Sequence, residues 1–325
     1  MSISRRVVMN AAALGAAAAL APRRAQAAYP ERPVRLIVPF PPGGAVDAVG
    51  RILGNGLSPH LGQPVVIEDR GGAGGILGME ASAHATPDGY TMMVSHSGFA
   101  AMPGLYRKLP FDPVKDFEGV ITAASGIYVL VVNPALPFKS VAELIGYAGS
   151  NPGKLTYASA GIGSTVHLAS EFFKRTAGVD ILHVPYKGTG PALTDLIGGQ
   201  VQMMFGPVVN TLPLAQAGKL RALAVTSGTR SALAPGLPTV AESGLPGFEV
   251  VGWYGLAVPA GTPKAAVARL NAGTDLALKS AELIEQFRVQ GYEPMGGTAE
   301  EASAWIRTEV ARWTKVIHDA GIEAQ

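Results

Sequence analysis

No cysteine occurs among the 325 residues, so disulfides and thiolate metal sites are excluded. Long apolar runs are missing as well. The stretch "AAALGAAAALA" (Ala11–Ala21) falls short of the ~20 strongly apolar residues of a membrane helix and ends at Pro22-Arg23-Arg24. Two catalytic signatures are absent: there is no H-E-x-x-H and no G-x-S-x-G. The six histidines, His60, His84, His96, His167, His183 and His318, are scattered along the chain. Beyond the N-terminus no polybasic run argues for nucleic acid or an anionic membrane surface.

What is present begins with a leader. Arg5 and Arg6, the alanine-rich run and "AQA" (Ala25–Ala27) form a basic, an apolar and a small-residue region in turn. That pattern is an export signal over residues 1–27, cleaved after Ala27. "SRRVVM" (Ser4–Met9) resembles a twin-arginine signal; an ordinary secretory signal with two arginines is the alternative. The leader holds four arginines and no acid, so its removal turns a net charge of +2 into −2. With those 27 residues gone, 298 remain, enough for two domains. An exported chain without cysteine fits a bacterial periplasm better than a small disulfide-stapled scaffold.

Strand, glycine-rich turn and helix then alternate. "VRLIVPF" (Val34–Phe40) is an apolar strand, and Val46, Val49, Leu53 and Leu57 follow at helical spacing. "PVVIED" and "YTMMVSH" (Tyr90–His96) are further strands. A second series runs from "IYVLVVNP" through "KLTYASA", a helix with Val166, Ala169, Phe172 and Phe173 on one face, "ILHVPY", "VQMMFG" and "LRALAVTS". The segment "GFEVVGWYGLAVPAGTP" returns extended, and helices close the chain. Thr298 and Glu301 have capping-box spacing, and Ile306, Val310, Trp313 and Ile317 form the core stripe of the last helix. Such alternation predicts an α/β fold of two lobes around a cleft, with ligands beyond the carboxyl ends of the strands.

Two turns stand at those ends. In "PFPPGGAVD" (Pro39–Asp47) prolines fix φ, and Gly43 and Gly44 let the chain turn into a helix whose first N–H groups form an anion site. The other reading is a tight connection that needs glycine for geometry alone. "YASAGIGSTVH" (Tyr157–His167) is its counterpart in the second lobe, with Ser159, Ser164 and Thr165 as hydroxyl donors or helix caps. Facing each other, the two turns would hold the ends of a small polyanion without arginine. "GGAGGILG" (Gly71–Gly78) is one residue too long for a dinucleotide fingerprint and reads as close helix–sheet packing. Asp47 serves the helix dipole, selects an amino group or orients its loop. His167 reaches a ligand or plays a structural polar role, and Lys187 reads as a solvated lysine.

Six ordered blocks carry a resemblance: "VPFPPGGAVDAVGR", "GGAGGILGMEASAHATPDGYT", "YASAGIGSTVHLASEFF", "HVPYKGTGPALTDLIGGQV", "GKLRALAVTS" and "PTVAESGLPGFE…WYGLAVPAGTP". Over essentially the whole mature chain they resemble the Bug-type extracytoplasmic receptors of the tripartite tricarboxylate transporter family. The resemblance implies a two-domain periplasmic-binding-protein (Venus flytrap) fold, each domain a mostly parallel sheet flanked by helices. Residues 28–126 plus 251–325 would form domain 1 and residues 127–250 domain 2. It implies reversible capture of a di- or tricarboxylate, an acidic amino acid or an aromatic acid, then delivery to a membrane permease. Contacts would come mainly from main-chain N–H groups and bridging waters in the loops matching Pro39–Asp47 and Ala158–His167.

The expected ligand-binding set is Phe40, Gly43, Gly44, Ala45 and Asp47 in the first loop, and Ser159, Ala160, Gly163, Ser164, Thr165 and His167 in the second. Ser97, after the third strand, and Gly206 complete it. Two departures from the family pattern are visible. "EDRGG" replaces an Asn-Arg-Pro-Gly type of turn, and Gly206 stands where an acid or amide is common, which implies a bulkier or differently anchored ligand. The expectation is a monomer without catalysis, metal, cofactor or nucleic acid. The rivals are an exported enzyme using His167 and a cleft serine, and a ligand-presenting partner of a membrane kinase.

Overall fold

The computed structural model describes residues 29–319, 321, 322 and 324. The expected export leader lies outside the described residues. Among them no helix is long and apolar enough to cross a membrane.

The first series folds as β1 (Val34–Val38), α1 (Ala45–Leu61), β2 (Val65–Asp69), α2 (Ile76–Ala83), β3 (Thr91–His96) and α3 (Ser97–Leu105). β1 pairs in parallel with both β2 and β3. α1 forms because its apolar residues recur once per turn; Val49, Leu53 and Leu57 are buried with Val34, Leu36 and Val38 of β1 in one cluster. Each such side chain contributes roughly 1.5–3 kcal/mol on burial. Gly50 and Gly54 let the helix lie close on the sheet, since a Cβ on either would sit 2.7 Å from Val38 or Ile67.

β4 (Phe117–Val132) is 16 residues long and passes from one lobe to the other. The second lobe follows as α4 (Val141–Ser150), β5 (Thr156–Ser159), α5 (Thr165–Ala177), β6 (Leu182–Pro185), α6 (Thr189–Ile197), β7 (Met203–Pro207), α7 (Val208–Gln216) and β8 (Arg221–Val225). β9 (Val251–Pro259) returns to the first lobe, and α8 (Lys264–Leu278), α9 (Ala281–Val289), β10 (Tyr292–Gly296) and α10 (Ala299–Asp319) complete it. Strand order is β2-β1-β3-β9-β4-β7-β5-β6, with β10 and β8 also on β4.

Both sheets are mixed. In the first, β9 runs antiparallel to β3 and β4, and β10 antiparallel to β4. In the second, β5 pairs in parallel with β6 and β7, while β4 opposes β7 and β8. The parallel βα units are those the alternation predicts; the long returning strands β4 and β9 add the antiparallel pairs. β4 changes partners abruptly: Ile127 faces Val251 of β9, and Tyr128 faces Pro207 of β7. The carboxyl ends of β1, β3, β5 and β7 all open onto the space between the lobes, where ligands of such sheets bind.

Candidate functional site

The loop after β1 is held from below. Gly78 approaches it so closely that a Cβ there would lie 2.6 Å from Arg70 O and 2.7 Å from Pro39 Cα. The "GGAGGILG" glycines thus do what close packing requires, seating α2 under the Pro39–Pro42 backbone. Gly43 has φ +88, a region that favours glycine. Its N–H donates to Asp47 Oδ2 at 2.7 Å. Asp47 is 4 % exposed, and its other oxygen lies 2.7 Å from Arg51 Nε; Arg51 also bonds Asp69 at 2.9 Å. Burial, with the Asp47 charge beside it, raises the Asp69 pKa above the usual carboxylate value. Asp47 thus shapes the loop through Oδ2, while Oδ1 faces Arg51 as an ion pair without a hydrogen bond. Gly44 occupies the N-cap position of α1, and no side chain caps this helix. Its first N–H groups keep their donor capacity and the positive end of the dipole.

A parallel arrangement follows β5. Gly161 (φ +123) and Gly163 (φ +79) turn the chain into α5. Gly161 N–H donates to Ser159 Oγ at 3.1 Å, and Gly163 N–H to His167 Nδ1 at 3.3 Å. Ser159 Oγ also bonds His183 Nε2 at 2.7 Å, and the His183 ring stacks between Tyr157 and His167 at 4.7 and 4.4 Å. Burial pulls the His183 pKa down to about 4 and lowers that of His167, so both rings stay neutral at pH 7. Ser164 caps α5, accepting the His167 N–H at 3.3 Å. In each lobe the loop is tied to the side chain four residues ahead.

Between these loops lies a cavity of about 980 Å³. Phe40, Gly43, Gly44 and Ala45 line it from the first lobe, and Ala160, Gly163, Ser164 and Thr165 from the second. Ser97 is also on its wall, but the hydroxyl accepts the Trp253 N–H at 2.8 Å and so joins β3 to β9. Asp47, Ser159 and His167 do not line the cavity; they stand behind the loops and hold them. Gly206 is also off the wall, and a Cβ there would meet Thr211 Cγ2 at 2.3 Å. Packing of α7 on β7 accounts for this glycine, so it is no measure of ligand bulk.

Several wall residues carry no local sequence signal. Tyr128, Tyr254 and Tyr292 gather at the floor, the last two with hydroxyls 3.3 Å apart. Burial raises all three pKa values, keeping the phenols as donors. They come from β4, β9 and β10, distant in sequence, where an isolated tyrosine reads as core. His96 lies on the wall too, at the end of β3. Its position at a strand end was the available signal.

Comparison with known proteins follows the same outline. A family model described as "Tripartite tricarboxylate transporter family receptor" matches residues 49–322. Rpa4515 of R. palustris, whose structure contains adipate, is 39% identical with a TM-score of 0.81, over 91% of this chain and 100% of that one. The periplasmic binding protein BugD is 38% identical with a TM-score of 0.79, again over 91% and 100%. MatC of Rhodopseudomonas palustris, with bound malate, is 36% identical with a TM-score of 0.78, over 89% and 100%.

Proposed function

Because this chain belongs to the receptor family of the tripartite tricarboxylate transporters, we propose that it is a periplasmic solute receptor that captures a small carboxylate between its lobes. One observation carries this reading: the uncapped N-terminus of α1 opens onto a large cavity where Gly44 and Ala45 leave the backbone bare. Main-chain N–H groups and a helix dipole hold an anion there without a paired cation. The second lobe presents the start of α5, with Ser164 and Thr165, to the other end of the ligand. Residues 28–126 plus 251–325 move against residues 127–250 about β4 and β9, and the ligand favours closure by the contacts it gains in the closed state. Export through the leader, monomeric action and release to a membrane permease complete the cycle.

Catalysis has one structural argument, the Ser159–His183 hydrogen bond at 2.7 Å. Ser159 is fully buried and off the cavity wall, so its hydroxyl serves the loop rather than a substrate.

Calorimetry against a panel of organic acids tests the reading, with adipate and malate included. Micromolar or tighter binding of one acid supports it; binding only of sugars or cations would sink it. Gly44→Val sharpens the test. A Cβ at Gly44 meets nothing nearer than Pro41 O at 3.9 Å, so the fold tolerates it. The isopropyl group would stand over the N–H groups and weaken binding about tenfold or more, the value of one good hydrogen bond to a charge. Unchanged affinity would show that the backbone there is not the binding group.

A further inference from the structure

What the cavity offers an ammonium group decides whether amino acids are ligands. A buried ammonium needs a carboxylate or several acceptors to offset its lost hydration. Among the described residues, no Asp or Glu lines the cavity. Asp47, the acid of the first-lobe loop, is turned to Gly43 N–H and Arg51.

His96 offers the opposite chemistry. It is 8 % exposed and on the cavity wall, with Phe40 packed against it at 5.2 Å and 67°. Its Nδ1 accepts the Gly98 N–H at 3.1 Å, capping α3. That bond places the proton of the neutral ring on Nε2. Nε2 is itself buried and has no hydrogen-bond partner among the described residues. Burial holds the His96 pKa down at about 4, so the ring is uncharged at pH 7 and presents a single N–H donor. A buried donor left unpaired is costly, and a ligand oxygen relieves it where an ammonium cannot.

We propose that the receptor selects organic acids without an amino group, because its wall offers an ammonium no carboxylate, and that His96 anchors such an acid by donating Nε2–H to a ligand oxygen. This rests on the carboxylate reading above and narrows it: hydroxy, oxo and unsubstituted carboxylic acids qualify, and amino acids do not. The ligand's carboxylate occupies the start of α1, and its oxygen nearest β3 meets His96.

Titration calorimetry with matched pairs tests the proposal: malate against aspartate, adipate against 2-aminoadipate, phenyllactate against phenylalanine. In whichever pair binds, the non-amino member should bind at least about tenfold tighter. His96→Asn keeps an acceptor for the Gly98 N–H but withdraws the Nε2 donor, and should weaken that acid by about 10- to 100-fold. His96→Gln, whose amide nitrogen reaches toward the Nε2 position, should recover most of the loss. An amino acid binding as tightly as its partner, or wild-type affinity in His96→Asn, overturns the proposal and leaves the carboxylate reading intact. If only sugars or cations bind and no organic acid does, both fall. Should His96→Asn not fold, the imidazole nitrogen resonance of His96 in the wild type decides. A shift of Nε2 on adding the bound acid supports the contact, and an unmoved signal removes it.

Discussion

Gly43 N–H donates to Asp47 and Gly163 N–H to His167, each pair four residues apart across a helix start. Neither side chain lines the cavity, yet both fix the loops that do. Asp47→Ala should therefore lower stability by about 1–3 kcal/mol and weaken ligand binding, since the Gly43 N–H and Arg51 both lose the carboxylate that joins them. Asp47→Asn keeps an oxygen there and should recover most of both; urea denaturation and calorimetry on the two variants check this. The buried imidazoles give a pH signature. His96 and His183 have folded pKa values near 4 against 6.5 in the unfolded chain. The unfolded state takes up protons first as pH falls, so stability is full above about pH 6.5 and is lost progressively down to about pH 4. Thermal melts between pH 7 and pH 4 should fall more shallowly in His96→Asn and His183→Asn than in wild type. The two loops were legible in the sequence because glycine, proline and a helix start are local signals. The direction of Asp47 was not, because it depends on Arg51 and on how the loop closes over it. His96 was equally hidden, since its role needs the Gly98 contact and the neighbouring cavity.

At the scale of elements, the last helix shows how a cap and a stripe act together. Thr298 N–H donates to Glu301 at 2.8 Å and Glu301 N–H to Thr298 at 3.1 Å, the reciprocal box the spacing predicts. Further along α10, buried Glu309 accepts the indole N–H of Trp253 at 3.1 Å and of Trp313 at 3.0 Å. Trp253 lies on the cavity wall, so α10 braces the site through this carboxylate. Glu309→Ala leaves two buried indole donors unpaired and should cost about 2–5 kcal/mol, read from chemical denaturation. A loss below about 0.5 kcal/mol, as at ordinary surface sites, would contradict the bracing role. Elements with clean periodicity, such as α1, α5 and α10, were readable from sequence. Those without it were not. α3 is buried on nearly all sides and contains Pro103, so it shows no polar face. β10 is a short edge strand with Pro294. The first half of β4 carries two register shifts against β9, which break the alternation that marks a strand.

For the whole molecule, the crossing between lobes is built from facing glycines. Gly126 of β4 stands opposite Gly252 of β9. A Cβ on Gly126 would lie 2.6 Å from the Tyr292 ring, and one on Gly252 would lie 2.6 Å from the Tyr128 hydroxyl. The tyrosines can therefore lie flat on the crossing strands and form the cavity floor just where the strands cross between the lobes. The lobes also approach each other at the loops, since a Cβ on Gly98 of α3 would lie 3.6 Å from Gly163 O. On the proposed function, capture at the start of α1, closure about β4 and β9, and contact by the start of α5 form one path for an anion entering the cleft. The sequence implied two lobes and a cleft through its repeated βα units; the floor needed long-range pairing that no local pattern encodes. A crystal structure of the protein with its tightest-binding acid would locate the anion. A carboxylate oxygen should lie about 3 Å from the main-chain nitrogens of Ala45 and Val46 at the start of α1. A carboxylate held by Lys187 at the cavity edge, with those nitrogens unengaged, would contradict it.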